Sequence, residues 1–200
     1  MREIRRKGLL KKVVNILTSM DNAFQKKYRE EVVPALKEEF GYSNIMQVPK
    51  IKKVTINVGY GRHTKDKGFI ENVEKTLTQI TGQKPVHNKA KKSISNFKIR
   101  EGNSIGCSVT LRGDKMYNFL YRLVNLTFPR VRDFRGINPK SFDRQGNYSF
   151  GMKENIAFPE ITADAIDKIH GLEVVITTTA ENQKEGHSLL KRLGFPFRDK

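Results

Sequence analysis

The 200-residue sequence has one cysteine, four histidines and far fewer acidic than basic residues, 21 against 38. A single cysteine excludes a disulfide within the chain, and the histidines are scattered without metal-ligand spacing. The longest apolar runs span only a few residues, such as LEVVI at 172–176, and are too short to cross a bilayer. These absences predict a soluble folded protein with no metal, no cofactor and no membrane contact.

Motifs for catalysis are missing as well. No phosphate-binding G-x-x-x-x-G-K-[ST] motif occurs, and NVGYGRHT at 57–64 does not fit G-x-G-x-x-G. Gly59 and Gly61 are therefore predicted to form a turn after a strand. Cys107 falls on the inward side of a predicted strand, which favours a small core residue over a nucleophile.

Carboxylates between residues 133 and 160 provide one enzymatic alternative, because a group of them would hold Mg²⁺ for an RNA-processing enzyme. Arginines are interleaved with them, so ion pairing within the segment explains the same residues without catalysis. An RNA-processing or tRNA-binding factor with a metal–carboxylate site therefore stays open as the alternative function. The carboxylates are Asp133, Asp143, Glu154 and Glu160, and the arginines are Arg130, Arg132, Arg135 and Arg144.

Positive charge is abundant and unevenly distributed. The net charge is +17, and because residues 160–200 carry −1, residues 1–159 carry +18. Such a field attracts polyanions, and no long basic amphipathic helix with a broad aromatic face favours a membrane surface. The sequence thus favours a nucleic acid as partner, bound by the first four-fifths of the chain.

Apolar periodicity predicts an α+β fold, a two-layer sandwich whose mainly antiparallel sheet has helices on one face, as in RRM-like or ferredoxin-like folds. Residues 1–20 are predicted to be a basic N-terminal helical extension, and 21–200 a single RNA-binding domain with a long basic loop. Asp21 is the predicted cap of the next helix, and Pro34 predicts a kink in it. Strands are predicted at Ile51–Gly59, 84–89, 104–113, 147–153 and 171–180. Helices are predicted at 21–40, Asp66–Ile80 and 114–124, and a last helix with a tail at 181–197.

Three groups of residues are candidates for binding. The loop KPVHNKAKKSISNFKIREGNS, 84–104, has six basic residues before its first acid, and Phe97 would stack on an unpaired base. The segment Arg130–Arg144 is a second basic stretch. The outward strand positions carry polar side chains without aromatic rings, which favours recognition of RNA shape, sugar and phosphate. A solvated loop with Phe97 in the core, and a solvated sheet face, are the plainer alternatives.

Five long segments, in order, resemble the bacterial-type large-ribosomal-subunit protein L-five family. The resemblance covers about residues 20–200, and it leaves residues 1–19 as an extra segment without a family role. The segments are MQVPKIKKVTINVG, TGQKPVHNKAKKSISNFKIREG, IGCSVTLRGDKMYNFLYRLV, FPRVRDFRGINPKSFDRQGNYSFGMKENIAFPEI and TTTAENQKEGHSLLKRLGFPF.

The resemblance implies a non-enzymatic protein of a bacterial-type ribosome in the cytoplasm, with an organellar ribosome as the alternative. It implies binding to 5S rRNA and large-subunit rRNA in the central protuberance, beside neighbouring large-subunit proteins. It also implies contacts with P-site tRNA through the basic loop, Lys89–Gly102, and with the small-subunit head protein of the S-thirteen family. The expected tRNA-binding residues are Lys89, Lys91, Lys92, Ser93, Phe97, Lys98 and Arg100. The expected rRNA-binding residues are Lys53, Thr55, Asn57, Gln83, Lys84, Thr110, Arg112, Arg130, Arg132 and Arg135. Among these, strand-face positions such as Asn57, Gln83, Thr110 and Arg112 are expected to form the 5S rRNA surface.

Overall fold

The computed structural model describes residues 23–64, 66–161 and 169–198. The predicted N-terminal extension, 1–20, and the predicted helix cap at Asp21 lie outside the described residues. No helix in the described ranges is long and apolar enough to cross a membrane.

The first described helix begins at residue 23, passes through a π-helical turn, Tyr28–Val32, and ends as α1, Val33–Phe40. Pro34 lies in the first turn of α1. Proline lacks the backbone N–H that a regular helix would use as a donor, and the π-helical turn lies directly before Pro34. The helix therefore continues through a widened turn at the position where a kink or a break into two helices was predicted. Gly41, with φ +68°, ends the helix as predicted.

Five antiparallel strands form one sheet in the order β2-β3-β1-β5-β4. Without the edge strand β4, the order and direction are those of a split β-α-β (ferredoxin-like) fold, which confirms the predicted fold class. The strands are β1 (Ile51–Gly59), β2 (Val86–Lys89), β3 (Ser104–Leu111), β4 (Tyr148–Met152) and β5 (Leu172–Thr178). In the described ranges the other α-helices are α2 (Lys67–Thr81), α3 (Gly113–Arg122) and α4 (Gln183–Leu193).

Local signals in the sequence determine where α2 begins and ends. The side chain of Asp66 accepts a hydrogen bond from the backbone N–H of Phe69 at 3.0 Å, which satisfies a donor that the first helical turn leaves free. Gly82, with φ +66°, ends the helix in the left-handed conformation that glycine adopts readily. Both ends match the sequence prediction to within a residue.

The core lies between the helices and one face of the sheet. Alternate residues of the three central strands are fully buried there, as the period of two predicts. Cys107 is one of them, and burial raises the pKa of its thiol to about 11, as expected for a core residue. These alternating apolar residues are Val54, Ile56, Val58, Cys107, Val109, Leu111, Leu172, Val174 and Ile176.

Helix α1 is fastened to α4 by the carboxylate of Glu39. The hydroxyl of Ser188 donates to Glu39 Oε2 at 2.7 Å, and Arg192 donates through Nε at 3.1 Å and Nη2 at 2.7 Å. These hydrogen bonds hold the pKa of Glu39 below its usual value because they stabilise the ionised form. The contact ties the start of the described chain to its last helix.

Candidate nucleic-acid interface

Small polar side chains are aligned in rows across the sheet face that points away from the helices. Thr55 is opposite Thr110 on one neighbouring strand, and Asn57 is opposite Ser108. Ser108 donates a hydrogen bond to Asn88 Oδ1 on the next strand at 3.3 Å. The result is a strip of hydroxyl and amide groups that suits hydrogen bonds to sugars and phosphates.

Two residues predicted on this face lie outside the strands. Gln83 follows the end of α2, in the turn before β2, and Arg112 follows the last residue of β3 as the cap of α3. The prediction of strand positions for these two was wrong because the strands are shorter than their polar flanks. Both side chains are exposed. The pairing of Val54 with Leu111 places Arg112 beside Lys53, at one end of the strip.

The basic loop between β2 and β3 is a hydrogen-bonded hairpin. Ile94 and Ile99 exchange two backbone hydrogen bonds, of 2.9 and 3.2 Å. Between them lie a 3₁₀ turn, Ser95–Phe97, and Lys98 in the left-handed region at φ 54°, which reverses the chain. The hydroxyl of Ser93 accepts a hydrogen bond from the backbone N–H of Glu101 at 2.9 Å, so it supports the hairpin itself.

Phe97 is at the tip of this hairpin and is 69% exposed, so the alternative that buried it in the core is wrong. Ile94 beside it is 45% exposed, and Ile99 is half-buried. An aromatic ring held in water on an ordered turn is available to a partner. The loop cations Lys89, Lys91, Lys92, Lys98 and Arg100 are all exposed, and within the described residues none of them forms an ion pair.

Lys84 differs from the other basic residues of the loop segment because it has an acidic partner. Its ammonium nitrogen lies 3.5 Å from Glu74 Oε1 on α2, and His87 Nε2 lies 3.4 Å from Glu74 Oε2. The side chain of Lys84 is nevertheless highly exposed. This exposed pair is weak, so a phosphate would compete with Glu74 for the lysine.

A buried tyrosine anchors the base of the loop. The hydroxyl of Tyr60 lies 2.9 Å from His87 Nδ1 on β2 and 2.7 Å from the hydroxyl of Ser104 on β3. Burial raises the pKa of Tyr60, so this hydroxyl stays protonated. Backbone hydrogen bonds between Ala90 and residues 102–103 close the loop just above. The tip therefore projects from a fixed base.

The second basic stretch forms one wall of a groove of about 860 Å³ beside β4. Arg130, Arg132 and Arg135 all line it, so the structure brings these predicted residues together. Within the described ranges none of the three forms an ion pair, contrary to the expected pairing with nearby carboxylates. Lys153 and Arg198 complete the lining and were missed, because both are remote in sequence from the arginine segment.

Two carboxylates of the enzymatic alternative, Asp133 and Glu154, line this groove, and the other two have structural partners elsewhere. Asp143 holds a turn: its Oδ1 accepts from the backbone N–H groups of Gln145 and Asn147 at 2.9 and 2.7 Å. Glu160 pairs with Arg122 of α3. Among the described residues no group of three or more His, Cys, Asp or Glu side chains is arranged to hold a metal ion. The metal–carboxylate alternative therefore has no assembled site in this part of the chain.

The fold and surfaces together define a class: a basic nucleic-acid-binding protein with a ferredoxin-like core, a polar sheet face, a projecting cationic hairpin and an arginine-lined groove. A family model described as "Ribosomal protein L5" matches residues 44–100, and the model for the C-terminus of the same ribosomal family matches residues 104–197. The chain belongs to the ribosomal protein L5 family, and it is a structural ribosomal protein, not an enzyme. The two matched segments adjoin just before β3, and the strands of both belong to one continuous sheet.

Curated relatives agree with the family models. "Large ribosomal subunit protein uL5" of Halothermothrix orenii is 56% identical over 170 residues, which cover 85% of this chain and 95% of that protein. The protein of the same name from Fervidobacterium nodosum is 56% identical over 174 residues, 87% of this chain and 95% of the relative. That of Thermobifida fusca is 54% identical over 175 residues, 88% and 92% of the two chains.

Proposed function

We propose that this chain is a structural component of the large ribosomal subunit that binds 5S rRNA in the central protuberance through the open sheet face. The observation that carries the proposal is the row of Thr55, Asn57, Ser108 and Thr110, polar side chains side by side on adjacent strands. They suit the 2′-hydroxyl and phosphate groups of an RNA helix better than stacked bases, because no aromatic ring is among them. Lys53 and Arg112 supply charge together at one end of the row, because the pairing of Val54 with Leu111 places them side by side.

The basic hairpin is proposed to reach the P-site tRNA. It is anchored on the sheet at Tyr60 and projects exposed cations, so it would contact RNA that is distinct from the RNA on the sheet face. Phosphates would be bound by the charged side chains, and Phe97 would pack against a base or sugar at the tip. The cations are Lys89, Lys91, Lys92, Lys98 and Arg100.

The other proposed partners follow from the remaining surfaces. Arg130, Arg132 and Arg135 would bind large-subunit rRNA, because guanidinium groups match phosphate oxygens in a bidentate geometry. Contacts with the small-subunit head protein of the S-thirteen family and with neighbouring large-subunit proteins rest on family membership alone. The proposed organisation is a single RNA-binding domain, 21–200, preceded by a basic extension.

Binding of purified protein to 5S rRNA tests the central proposal. We expect a saturable complex at moderate salt whose affinity falls steeply as the salt concentration rises, because the protein replaces counterions on the phosphates. A transcript of the same length and unrelated fold serves as the competitor. Absence of binding, or equal affinity for the unrelated transcript, would refute the proposal.

Substitution of two hairpin lysines, Lys91→Ala with Lys92→Ala, separates the two RNA surfaces. We expect the affinity for tRNA to fall about tenfold, with the salt slope of tRNA binding lower by roughly one unit per lysine, while 5S rRNA binding changes by less than about twofold. The measurement is a salt titration of both affinities. Lys37→Ala with Lys115→Ala, on exposed positions of α1 and α3, is the charge-matched control. Equal losses for both RNAs would contradict the division between hairpin and sheet face.

A further inference from the structure

We propose that the groove beside β4 is a binding site for a single unpaired nucleotide of RNA, with its base against the phenylalanines and its phosphates on the arginines. The inference rests on the proposed function, because it deepens the contact with rRNA that is already proposed for the arginines of the groove. Those arginines are proposed to bind phosphates, and the groove would in addition hold one unstacked base.

The floor of the groove is aromatic. Phe134 is half-buried and stacks on Phe128, with ring centroids 5.1 Å apart and an angle of 12° between the planes. Phe150 of β4 packs on the same Phe128 at 5.6 Å. Phe134 and Phe150 both line the groove. A nucleobase entering it would meet flat apolar rings, the surface on which proteins stack unpaired bases.

Cations line the groove in excess over anions. Five basic residues line the groove, compared with two acidic residues, Asp133 and Glu154. Within the described residues none of the five basic side chains forms an ion pair. Unpaired guanidinium groups around an aromatic floor provide phosphate ligands at the edge and a stacking surface below. The basic residues are Arg130, Arg132, Arg135, Lys153 and Arg198.

Backbone pairing holds two parts of the lining together. Ile137 N–H donates to the carbonyl of Pro196 at 2.8 Å, and Arg198 N–H donates to the carbonyl of Ile137 at 2.9 Å. Gly136, with φ +92°, allows this approach, because a Cβ there would lie 2.8 Å from the backbone nitrogen of Arg198. The backbone that carries Arg135 and Arg198 is therefore held in place before binding, which lowers the entropy cost of binding.

The size and chemistry favour a nucleotide over an acidic peptide. The volume, about 860 Å³, is within the range of sites for small ligands, roughly 300–1,000 Å³. An acidic peptide would also use the cations, but its aliphatic side chains gain nothing specific from stacked rings, whereas a base gains a stacking partner. The chain's net charge of +17 suits a polyanion such as RNA more than a short peptide.

A single tryptophan provides the test, because the sequence has none of its own. In the full-length Phe134→Trp variant, we expect a single-stranded hexauridine or hexaadenosine RNA to reduce tryptophan emission at least twofold, through stacking on the indole ring. A hexamer duplex should leave it nearly unchanged. Adding Arg132→Gln and Arg135→Gln should weaken the apparent affinity for the single strand about tenfold. Phe40→Trp, a reporter on α1, should not respond.

Two further measurements complete the experiment. In the unsubstituted protein, the amide NMR signals of Gly136 and Gly151 should shift with the single-stranded hexamer, which tests the site even if the tryptophan variant fails to fold. Binding of 5S rRNA is measured on the same preparation. Intact 5S rRNA binding without quenching or shifts would refute the groove inference alone, and loss of 5S rRNA binding would refute the proposed function. Quenching by a glutamate-rich peptide but not by RNA would also refute the inference.

Discussion

Lys53→Glu combined with Thr110→Glu is expected to weaken 5S rRNA binding about a hundredfold. The two residues lie on adjacent central strands of the open face, where the new carboxylates would face phosphates. If each substitution costs about 1.4 kcal/mol of binding free energy, the two together give that factor. The measurement is the dissociation constant of the 5S rRNA complex at fixed moderate salt, since affinities at different salt concentrations are not comparable.

The control variant must change the net charge by the same amount, but on the helical layer that covers the other face of the sheet. Gln79→Glu with Lys115→Glu does so on exposed positions of α2 and α3. Lys115 is in the first turn of its helix, where a carboxylate is favoured, and Lys75, four residues before Gln79, offsets the unfavourable helix dipole for the new carboxylate there. We expect this variant to lose less than about fivefold in affinity. If the two variants lose equally, binding depends on total charge and the sheet face is not the site.

Gly186→Ala is expected to destabilise the fold by about 3 kcal/mol. Gly186, near the start of α4, packs directly on Gly146: a Cβ at Gly186 would overlap the carbonyl oxygen of Gly146 and lie 2.9 Å from its Cα. The same carbonyl accepts a hydrogen bond from the hydroxyl of Thr178 at 3.0 Å, so the turn cannot move without breaking it. For a chain of this length we expect the melting temperature to fall by roughly 6–12 °C.

Gly59→Ala is the matched control, because a Cβ at Gly59, at the end of β1, would meet no atom within 4 Å. We expect its free energy of unfolding to change by less than about 0.5 kcal/mol. Thermal or urea unfolding of both variants, followed by circular dichroism, makes the comparison. A Gly186→Ala variant as stable as the Gly59→Ala control would show that α4 can move away from the turn at little cost.

Predictions that depend on neighbours in sequence were confirmed closely. The period of two from Val54 to Val58 identifies the buried face of β1, and the cap residues Asp66 and Gly82 identify the ends of α2. Each signal acts over a few residues, so the chain nearby determines the outcome. Pro34 shows the limit of such signals: proline disfavours a regular helix, but the packing around it decides between a break and a widened turn.

In the candidate site, too, some features follow from the local sequence and others depend on the tertiary structure. Local composition identified the basic loop, and the resemblance to the ribosomal family identified the class of partner. The sequence did not determine whether Phe97 is buried or exposed, because a phenylalanine in a loop packs inward or points outward according to how the hairpin closes. That closure depends on the pairing of Ile94 with Ile99 and on the left-handed backbone of Lys98, neither of which composition indicates.

The sequence by itself determined the fold class, the family, the sign of the charge and the residues that carry it, because periodicity, composition and ordered motifs are local properties of the chain. Only the tertiary structure decided which of those residues meet. Register places Thr55 beside Thr110. The C-terminal segment pairs with Ile137, which brings Arg198 into the groove that Arg135 lines. These contacts join residues that are far apart in the chain, and the packing of the whole core selects them over other arrangements of the same local pieces.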